Sequence, residues 1–322
     1  MVNIFFVGDL RSPFIKQDLE MLREDNTVNT FDLGKHAFSF RQILNYQILC
    51  LQQSLKIHNA DLIWIWFADY PALSIILIAK LFRKPIVVNV GGWEVCKAPE
   101  INYGNQLSTI RGAVTRWILR NVDRCIVPSQ AYRAIIHKLE RDAYVCCFPN
   151  WIDTKLCDIA TPRKYDRVVT AFCADSTRIL KGIPTFESIS KQVPYEMKVI
   201  KNISHESLID EFKHAKVYCQ LSYTESFGMS LLEAMACGCV PVVTDRDALP
   251  EVVGGCGYIV PYGDVEKTKE AIEKAMKVNG TKARGRARLF GRDKKKAQVN
   301  ALIRKLVVPN IASSVPSEPV IV

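Results

Sequence analysis

No apolar run in this sequence is long enough to cross a bilayer. The longest strongly apolar stretch, 70–79, is closed by Asp69 and Lys80, whereas a spanning helix needs about 20 residues. A secretory leader is not expected, because no basic segment precedes the apolar start and Asp9 ends it early. Metal-type cysteine spacing is missing too. The 11 cysteines form no C-x-x-C, and Cys237-Gly238-Cys239 has no second pair nearby, so no zinc site is expected. Cys125, Cys146, Cys173 and Cys219 fall inside apolar runs and read as small core hydrophobes of a reducing compartment. With 16 Gly and 15 Pro in 322 residues, the chain is neither collagenous nor linker-rich. Its 48% apolar and 24% charged residues exclude disorder. No nucleic-acid motif is found, and no D-x-D metal motif is read at a strand end. Neither nucleic acid as partner nor a required metal or other cofactor is therefore expected. The expected location is cytoplasmic, at most peripheral on the cytoplasmic membrane face.

What is present is an uneven positive charge. The net charge is +10, from 43 basic and 33 acidic residues. Residues 282–305 contain ten bases and one acid, Asp293, and a second basic stretch runs through Arg111, Arg116, Arg120 and Arg124. Such clusters attract nucleic acid, anionic lipid or phosphorylated small molecules. The competing reading is a solvated helix face. Arg116 and Arg120 share one helix face beside Trp117. That arrangement suits either contact with an anionic membrane or a core tryptophan beneath solvated arginines.

Short β-rich runs alternate with amphipathic stretches. Strands are expected at 3–7, 28–33, 62–67, 86–90, 124–127 and 143–148, with helices at 41–57, 71–82 and 109–121. The strands are continuous apolar runs, as expected where both faces are buried. A pause at 148–154 and the polar 158–166 read as a linker. The alternation then resumes, with strands at 167–173, 197–200, 217–221, 240–244 and 257–260 and helices at 183–191, 207–214, 229–237 and 265–276. A basic helix over 283–305 and a loose tail complete the chain. The fold class is α/β: two tandem, doubly wound, Rossmann-like domains facing a cleft, with ligands at the carboxyl ends of the strands.

The stretch 221–238 carries the chemistry. A strand ends near Leu221, a polar loop follows, Gly228 opens a helix and Gly238 closes it. Free backbone N–H groups near Phe227, Gly228, Met229 and Ser230 suit an anion such as a diphosphate. Glu225 lies just before the helix. Glu233 lies inside it, about 7 Å further along at 1.5 Å per residue. Two acceptors flanking an anion site fit a ligand with hydroxyls at both ends and phosphates between, such as a nucleotide sugar. Equally, Glu225 could serve the helix dipole and Glu233 could be a surface residue.

The run Glu225-Ser226-Phe227-Gly228-Met229-Ser230-Leu231-Leu232-Glu233-Ala234-Met235-Ala236-Cys237-Gly238 resembles the E-x7-E signature of retaining glycosyltransferases of family four, which have the GT-B fold. Leu249-Pro250-Glu251-Val252-Val253 and Gly257-Tyr258-Ile259-Val260-Pro261-Tyr262-Gly263-Asp264 are similar to that family's next segments. Pro149-Asn150-Trp151-Ile152-Asp153 is similar to its interdomain P-N-G-V-D, with Trp151 in place of glycine. The resemblance implies an acceptor-side domain over 1–155 and a nucleotide-sugar domain over 156–282. The 283–305 helix would cross back to the N-terminal domain, and 306–322 would be a loose tail. Glu233 would bind the ribose, and Glu225 the transferred sugar. The 227–230 amides, with Leu232 and Ile203, would complete the donor site. Lys181, in Lys181-Gly182, would contact the diphosphate, where a cation stabilises the leaving group. The substrate would be a uridine or guanosine diphosphate sugar, and the acceptor a glycan or lipid-linked hydroxyl. Closure of the cleft would exclude water.

The pattern is not followed everywhere. Ser176 stands where an arginine usually precedes the lysine, and Arg178 is the nearest substitute. Gly91-Gly92-Trp93-Glu94 stands in place of H-G-x-D on the acceptor side, so Gly91 replaces a histidine. His36, His58, His137, His205 and His214 lie in segments without an evident link to the site. Asp245-Arg246-Asp247-Ala248 replaces a glycine pair before L-P-E, a change that bears on sugar selection. Arg11, after the first strand, is either an acceptor or diphosphate contact or a surface residue. The alternatives to a transferase are a nucleotide-sugar epimerase or hydrolase on the same fold, and a non-catalytic nucleotide-sugar-binding protein.

Overall fold

The computed structural model describes residues 1–33, 47–158, 165–172 and 174–307. The expected helix start at 41–46, His36, residues 159–164 of the expected linker, Cys173 and the tail beyond 307 lie outside the described residues. The chain divides into two compact units. One comprises Met1–Pro128, Tyr132–Phe148 and, of the described chain, residues 296–307; the other comprises Ser129–Ala131 and Pro149–Lys295.

The first unit is a six-stranded parallel sheet. Its strands are β1 (Asn3–Gly8), β2 (Thr27–Asp32), β3 (Leu62–Trp66), β4 (Ile86–Asn89), β5 (Arg124–Val127) and β6 (Val145–Cys147), in the order β2-β1-β3-β4-β5-β6. Strand side chains alternate between faces, and both faces are buried. Phe5, Val7, Ile63, Ile65 and Val88 pack on α3 (Ala72–Leu81), α4 (Thr109–Asn121) and α5 (Gln130–Leu139). Ile4, Phe6, Trp64 and Val87 pack on α1 (Pro13–Arg23) and on a helix from the far end of the chain. Burial on both faces fails only at the edges. β2 alternates between exposed and half-buried residues, because it has a single neighbour. The expected helix over 41–57 is not continuous: a turn at 52–53 separates helical residues 47–51 from α2 (Ser54–Asn59).

The second unit is a five-stranded parallel sheet. Its strands are β7 (Tyr165–Phe172), β8 (Glu196–Lys201), β9 (Ala215–Gln220), β10 (Val240–Thr244) and β11 (Tyr258–Val260), in the order β11-β10-β9-β7-β8. One face packs on α6 (Ile183–Ser190) and α10 (Val265–Ala275) through Phe186, Ile189, Ile272 and Ala275. The helices α7 (His205–His214), α8 (Met229–Ala236) and α9 (Leu249–Val253) follow β8, β9 and β10 in turn. Each unit is thus a parallel sheet with helical connections, the Rossmann-like pattern expected from the sequence.

The basic segment corrects two expectations. It is not one helix but α11 (Thr281–Ala287), a short 3-10 turn and α12 (Arg292–Val307). The break falls at Gly291, whose extended backbone pairs with Ile152. Nor is it solvated throughout, although Lys282, Lys294, Arg304 and Lys305 are exposed. Arg286 is buried and donates to the Glu251 and Val252 carbonyls, Arg288 pairs with Asp158 at 2.7 Å, and Lys295 is buried beside Asn150. Lys296 bridges Glu24 and Asp25 at 2.8 and 2.9 Å, which lowers the Asp25 pKa. The second basic stretch is likewise engaged: Arg111 pairs with Asp69, Arg116 with Gln106, and Arg120 with Glu140. Trp117 packs on the first unit's core.

Val299, Leu302 and Ile303 of α12 belong to the core on the β1–β3 face. The basic segment therefore ends as a core helix of the first unit, and Ile303→Ala should cost about 2–5 kcal/mol. Urea unfolding monitored by tryptophan fluorescence checks this. An unchanged midpoint would mean that α12 is only laid on the surface.

Candidate functional site

Two loops at the carboxyl ends of β7 and β9 touch. After β7, a 3-10 turn (Asp175–Thr177) leads to Leu180-Lys181-Gly182, and the Tyr223 amide donates to the Leu180 carbonyl at 2.8 Å. Gly182 has φ +66, and a Cβ there would lie 2.0 Å from the Leu221 carbonyl oxygen. Only glycine accepts both the left-handed backbone and the close approach.

This contact brings Lys181 to Glu225. Lys181 Nζ lies 2.5 Å from Glu225 Oε2. The same oxygen accepts from Gln220 Nε2 at 3.0 Å and from Ser222 Oγ at 3.4 Å. Gln220 is held in turn by Ser222 Oγ and by the hydroxyl of Tyr218, a fully buried residue whose phenol burial pushes well above its usual range. A buried polar chain, Tyr218–Gln220–Ser222–Glu225–Lys181, thus runs along the floor of the loop. It fixes one carboxylate oxygen and leaves Oε1 without a hydrogen bond among the described residues.

The helix after the loop starts as expected. Gly228 caps α8 with φ +93, and Leu232 N–H already bonds the Gly228 carbonyl. The amides of Met229, Ser230 and Leu231 are the unpaired first-turn donors. The side chains of Phe227 and Leu232 point inward: Leu232 is fully buried, and Phe227 packs edge-on against Phe290 at 5.6 Å. The resemblance implies a donor contact for Leu232, but its side chain is in the core and its amide is occupied. Arg178 is turned to α6, where it pairs with Glu187, which lowers the Glu187 pKa and raises that of Arg178.

At the other end of α8, His205 Nε2 lies 2.9 Å from Glu233 Oε1. No link between His205 and the site is visible in the sequence, because 28 residues separate the pair. The link is topological: α7 opens directly after β8, with Ser204 as its cap and the exposed Ile203 beside it. The hydrogen bond to Glu233 raises the His205 pKa, against the opposing effect of burial.

The D-x-D expectation also needs correcting, since Asp245-Arg246-Asp247 directly follows β10. Asp247, with φ +43, accepts from the Thr224 hydroxyl and from the Glu225 amide at 3.2 Å. The left-handed backbone is what a glycine would supply here, and the carboxylate pins the Glu225 loop instead. Among the described residues, no group of three or more His, Cys, Asp and Glu could hold a metal.

In the first unit, Glu94 is fully buried. It accepts from the amides of Ala68, Gly91 and Gly92 at 3.2, 3.1 and 2.8 Å, and burial raises its pKa against those bonds. Its carboxylate therefore shapes the turn after β4 and is not offered to a ligand. Phe67, at the end of β3, has φ +77, and a Cβ on Gly91 would meet its ring at 2.5 Å. That ring explains the glycine at 91. Arg11 forms a two-point pair with Asp9, at 2.7 Å for both contacts, which raises its pKa.

Residues 17–156 match the family described as Glycosyltransferase Family 4, and residues 186–293 match Glycosyl transferases group 1. The chain is 24% identical over 238 residues to N-acetyl-alpha-D-glucosaminyl L-malate synthase of Bacillus anthracis, covering 64% of this chain and 62% of that enzyme. Curated relatives are matched over 17%, 62% and 15% of their own lengths, less than two thirds in each case. Among solved structures, sucrose-phosphate synthase of Thermosynechococcus elongatus superposes with a TM-score of 0.78 at 15% identity, over 96% of this chain and 100% of that one. An Anabaena protein solved with UDP and glucose superposes with a TM-score of 0.72 at 16% identity, over 95% and 100%.

The His205–Glu233 pair has a pH signature. A raised folded-state pKa means that its stabilisation is complete below the unfolded histidine value of about 6.5 and fades as pH rises through the folded value. His205 is largely exposed, so the effect on stability is small. An NMR titration should place the His205 midpoint above the ordinary value and return it there in Glu233→Gln. Identical midpoints in the two proteins would break the pair.

Proposed function

The chain belongs to the family-four, group 1 glycosyltransferases, and we propose that it moves a sugar, with retention, from a uridine or guanosine diphosphate sugar to a hydroxyl of a glycan or lipid-linked acceptor. The observation that carries this reading is the state of Glu225. One oxygen is fixed by Lys181, Gln220 and Ser222, while the other is unengaged beside the first turn of α8. A carboxylate held so firmly can accept hydrogen bonds from sugar hydroxyls without reorganising, which is how preorganised sites favour a transition state.

The donor lies on the second unit in this reading. Glu233 accepts from the ribose hydroxyls, Ile203 lies beside the base, and the amides of Met229 and Ser230 receive the diphosphate. The Lys181 ammonium has three N–H donors, and Glu225 takes one. The remaining donors and the positive charge meet the diphosphate as it departs. With Arg178 paired to Glu187, this task falls to Lys181. The acceptor oxygen attacks the anomeric carbon on the face the diphosphate leaves, and its proton passes to a departing phosphate oxygen. No protein nucleophile is assigned, and no metal is given a role. The acceptor lies on the first unit near Gly91 and Gly92, whose backbone Glu94 fixes, with Arg11 after β1 at the same carboxyl-end edge of the sheet.

Among the described residues, no helix is long and apolar enough to cross a membrane. We place the activity in the cytoplasm, a reducing compartment that suits thiols buried as core side chains, such as Cys125 and Cys219. Anionic-membrane contact draws no support from the basic stretches, because many of their side chains are already paired or buried.

Isothermal titration with uridine and guanosine diphosphate sugars tests the donor. Glu233→Ala should weaken binding by about 1.5–3 kcal/mol, the worth of a hydrogen bond to a charged group. Glu225→Ala and Lys181→Ala should lower turnover more than affinity, and Lys181→Arg should restore only part of it. Full transfer activity in both glutamate variants would overturn the site.

A further inference from the structure

A guanidinium stands beside the Glu225 loop with almost no protein partner. Arg246 follows β10, and its Cζ lies 5.2 Å from the Tyr223 ring centroid and 5.4 Å from that of Tyr262. The two rings meet at 82° with centroids 5.0 Å apart, so the guanidinium sits in the angle between them. Its Nε is buried and makes no hydrogen bond. The one carboxylate within ion-pair distance among the described residues is Asp245, at 3.7 Å, too far for a hydrogen bond. A guanidinium has five N–H donors. Stacking on aromatic faces holds it in place and leaves those in-plane donors unused.

The placement is fixed relative to Glu225. The next residue, Asp247, bonds the Glu225 amide, and the Ala248 amide bonds the Glu225 carbonyl at 3.3 Å. Tyr223 lies two residues before Glu225, and Tyr262 follows β11, the neighbouring strand. Burial raises the Tyr262 pKa against the pull of Arg246, so the phenol stays neutral and adds no negative charge beside the guanidinium.

We propose that Arg246, clamped by Tyr223 and Tyr262, is an anion-binding specificity residue that accepts a carboxylate or phosphate group of the substrate beside the transferred sugar. This rests on the donor-site reading above. The anion has two sources, a carboxylate on the donor's own sugar or a phosphate or carboxylate on the acceptor. A planar guanidinium binds either in two-point fashion, with geometric as well as electrostatic selection.

The experiment uses the full chain, with Arg246→Gln and with Tyr262→Ala, which keeps the charge but opens the clamp. In the donor arm, titration compares UDP-glucose with UDP-glucuronate. A wild-type preference for the carboxylate sugar of tenfold or more, collapsing toward one in Arg246→Gln and reduced in Tyr262→Ala, assigns the anion to the donor. In the acceptor arm, inorganic phosphate is titrated into protein saturated with whichever uridine or guanosine diphosphate sugar binds, so that the diphosphate site is filled. Millimolar binding to wild type, at least tenfold weaker in Arg246→Gln, assigns it to the acceptor. The proposal is overturned if wild type shows neither effect, or if Arg246→Gln shows either one undiminished. Should no uridine or guanosine diphosphate sugar bind wild type, the donor-site reading falls first and Arg246 loses its role with it.

Discussion

Lys181 and Glu225 can meet only because Gly182 lets one loop lie against another. The chain after β7 crosses Leu221 so closely that any side chain at 182 would overlap the Leu221 carbonyl. From this approach follow the Tyr223–Leu180 amide bond, the Lys181–Glu225 pair and the crowding of one Glu225 oxygen. Parallel strands place the loops after β7 and β9 at the same end of the sheet, side by side. The sheet order supplies the neighbours, and glycine supplies the last few ångströms.

Much of this was legible in the sequence because it depends on short-range pattern. The strands appear as apolar runs, and the start of α8 appears as Gly228 before a run of helix formers. Lys181-Gly182 and the spacing of Glu225 and Glu233 also lie within single segments. What was not legible depends on pairing at a distance. His205 looked unrelated to Glu233 until α7 was placed after β8. Leu232 looked like a ligand contact from its place in a motif, but its position on the helix turns it into the core. At Asp247, the sequence shows only that a glycine is missing. The structure shows that an aspartate in the left-handed region both keeps the turn and pins Glu225.

The basic segment illustrates the same limit for charge. Counting residues over 282–305 gives a net charge but not its partners. Those partners are the Glu251 and Val252 carbonyls for Arg286, Asp158 for Arg288, and Glu24 and Asp25 for Lys296, all remote in sequence. Part of the local excess of positive charge is therefore taken up inside the fold, while Lys282, Lys294, Arg304 and Lys305 stay exposed. The break at Gly291 allows this, since it re-aims the chain between α11 and α12. Arg246, by contrast, lies outside any charge cluster, and yet its guanidinium has almost no protein partner.

Three glutamates show how environment decides the role of one residue type. Glu94 accepts three backbone amides and is fully buried, so it fixes a turn and has nothing left for a ligand. Glu225 has one oxygen held by three side chains and one unengaged, so it is rigid and available at once. Glu233 is held at one oxygen by His205, whose charge depends on pH. Rigidity with a vacant acceptor is what a reacting sugar requires. A carboxylate with an exposed, titratable partner suits the end of the ligand where binding must be reversible. In the proposed site, the order along the chain, Glu225 before α8 and Glu233 within it, would set the firmer acceptor at the sugar and the looser one at the ribose.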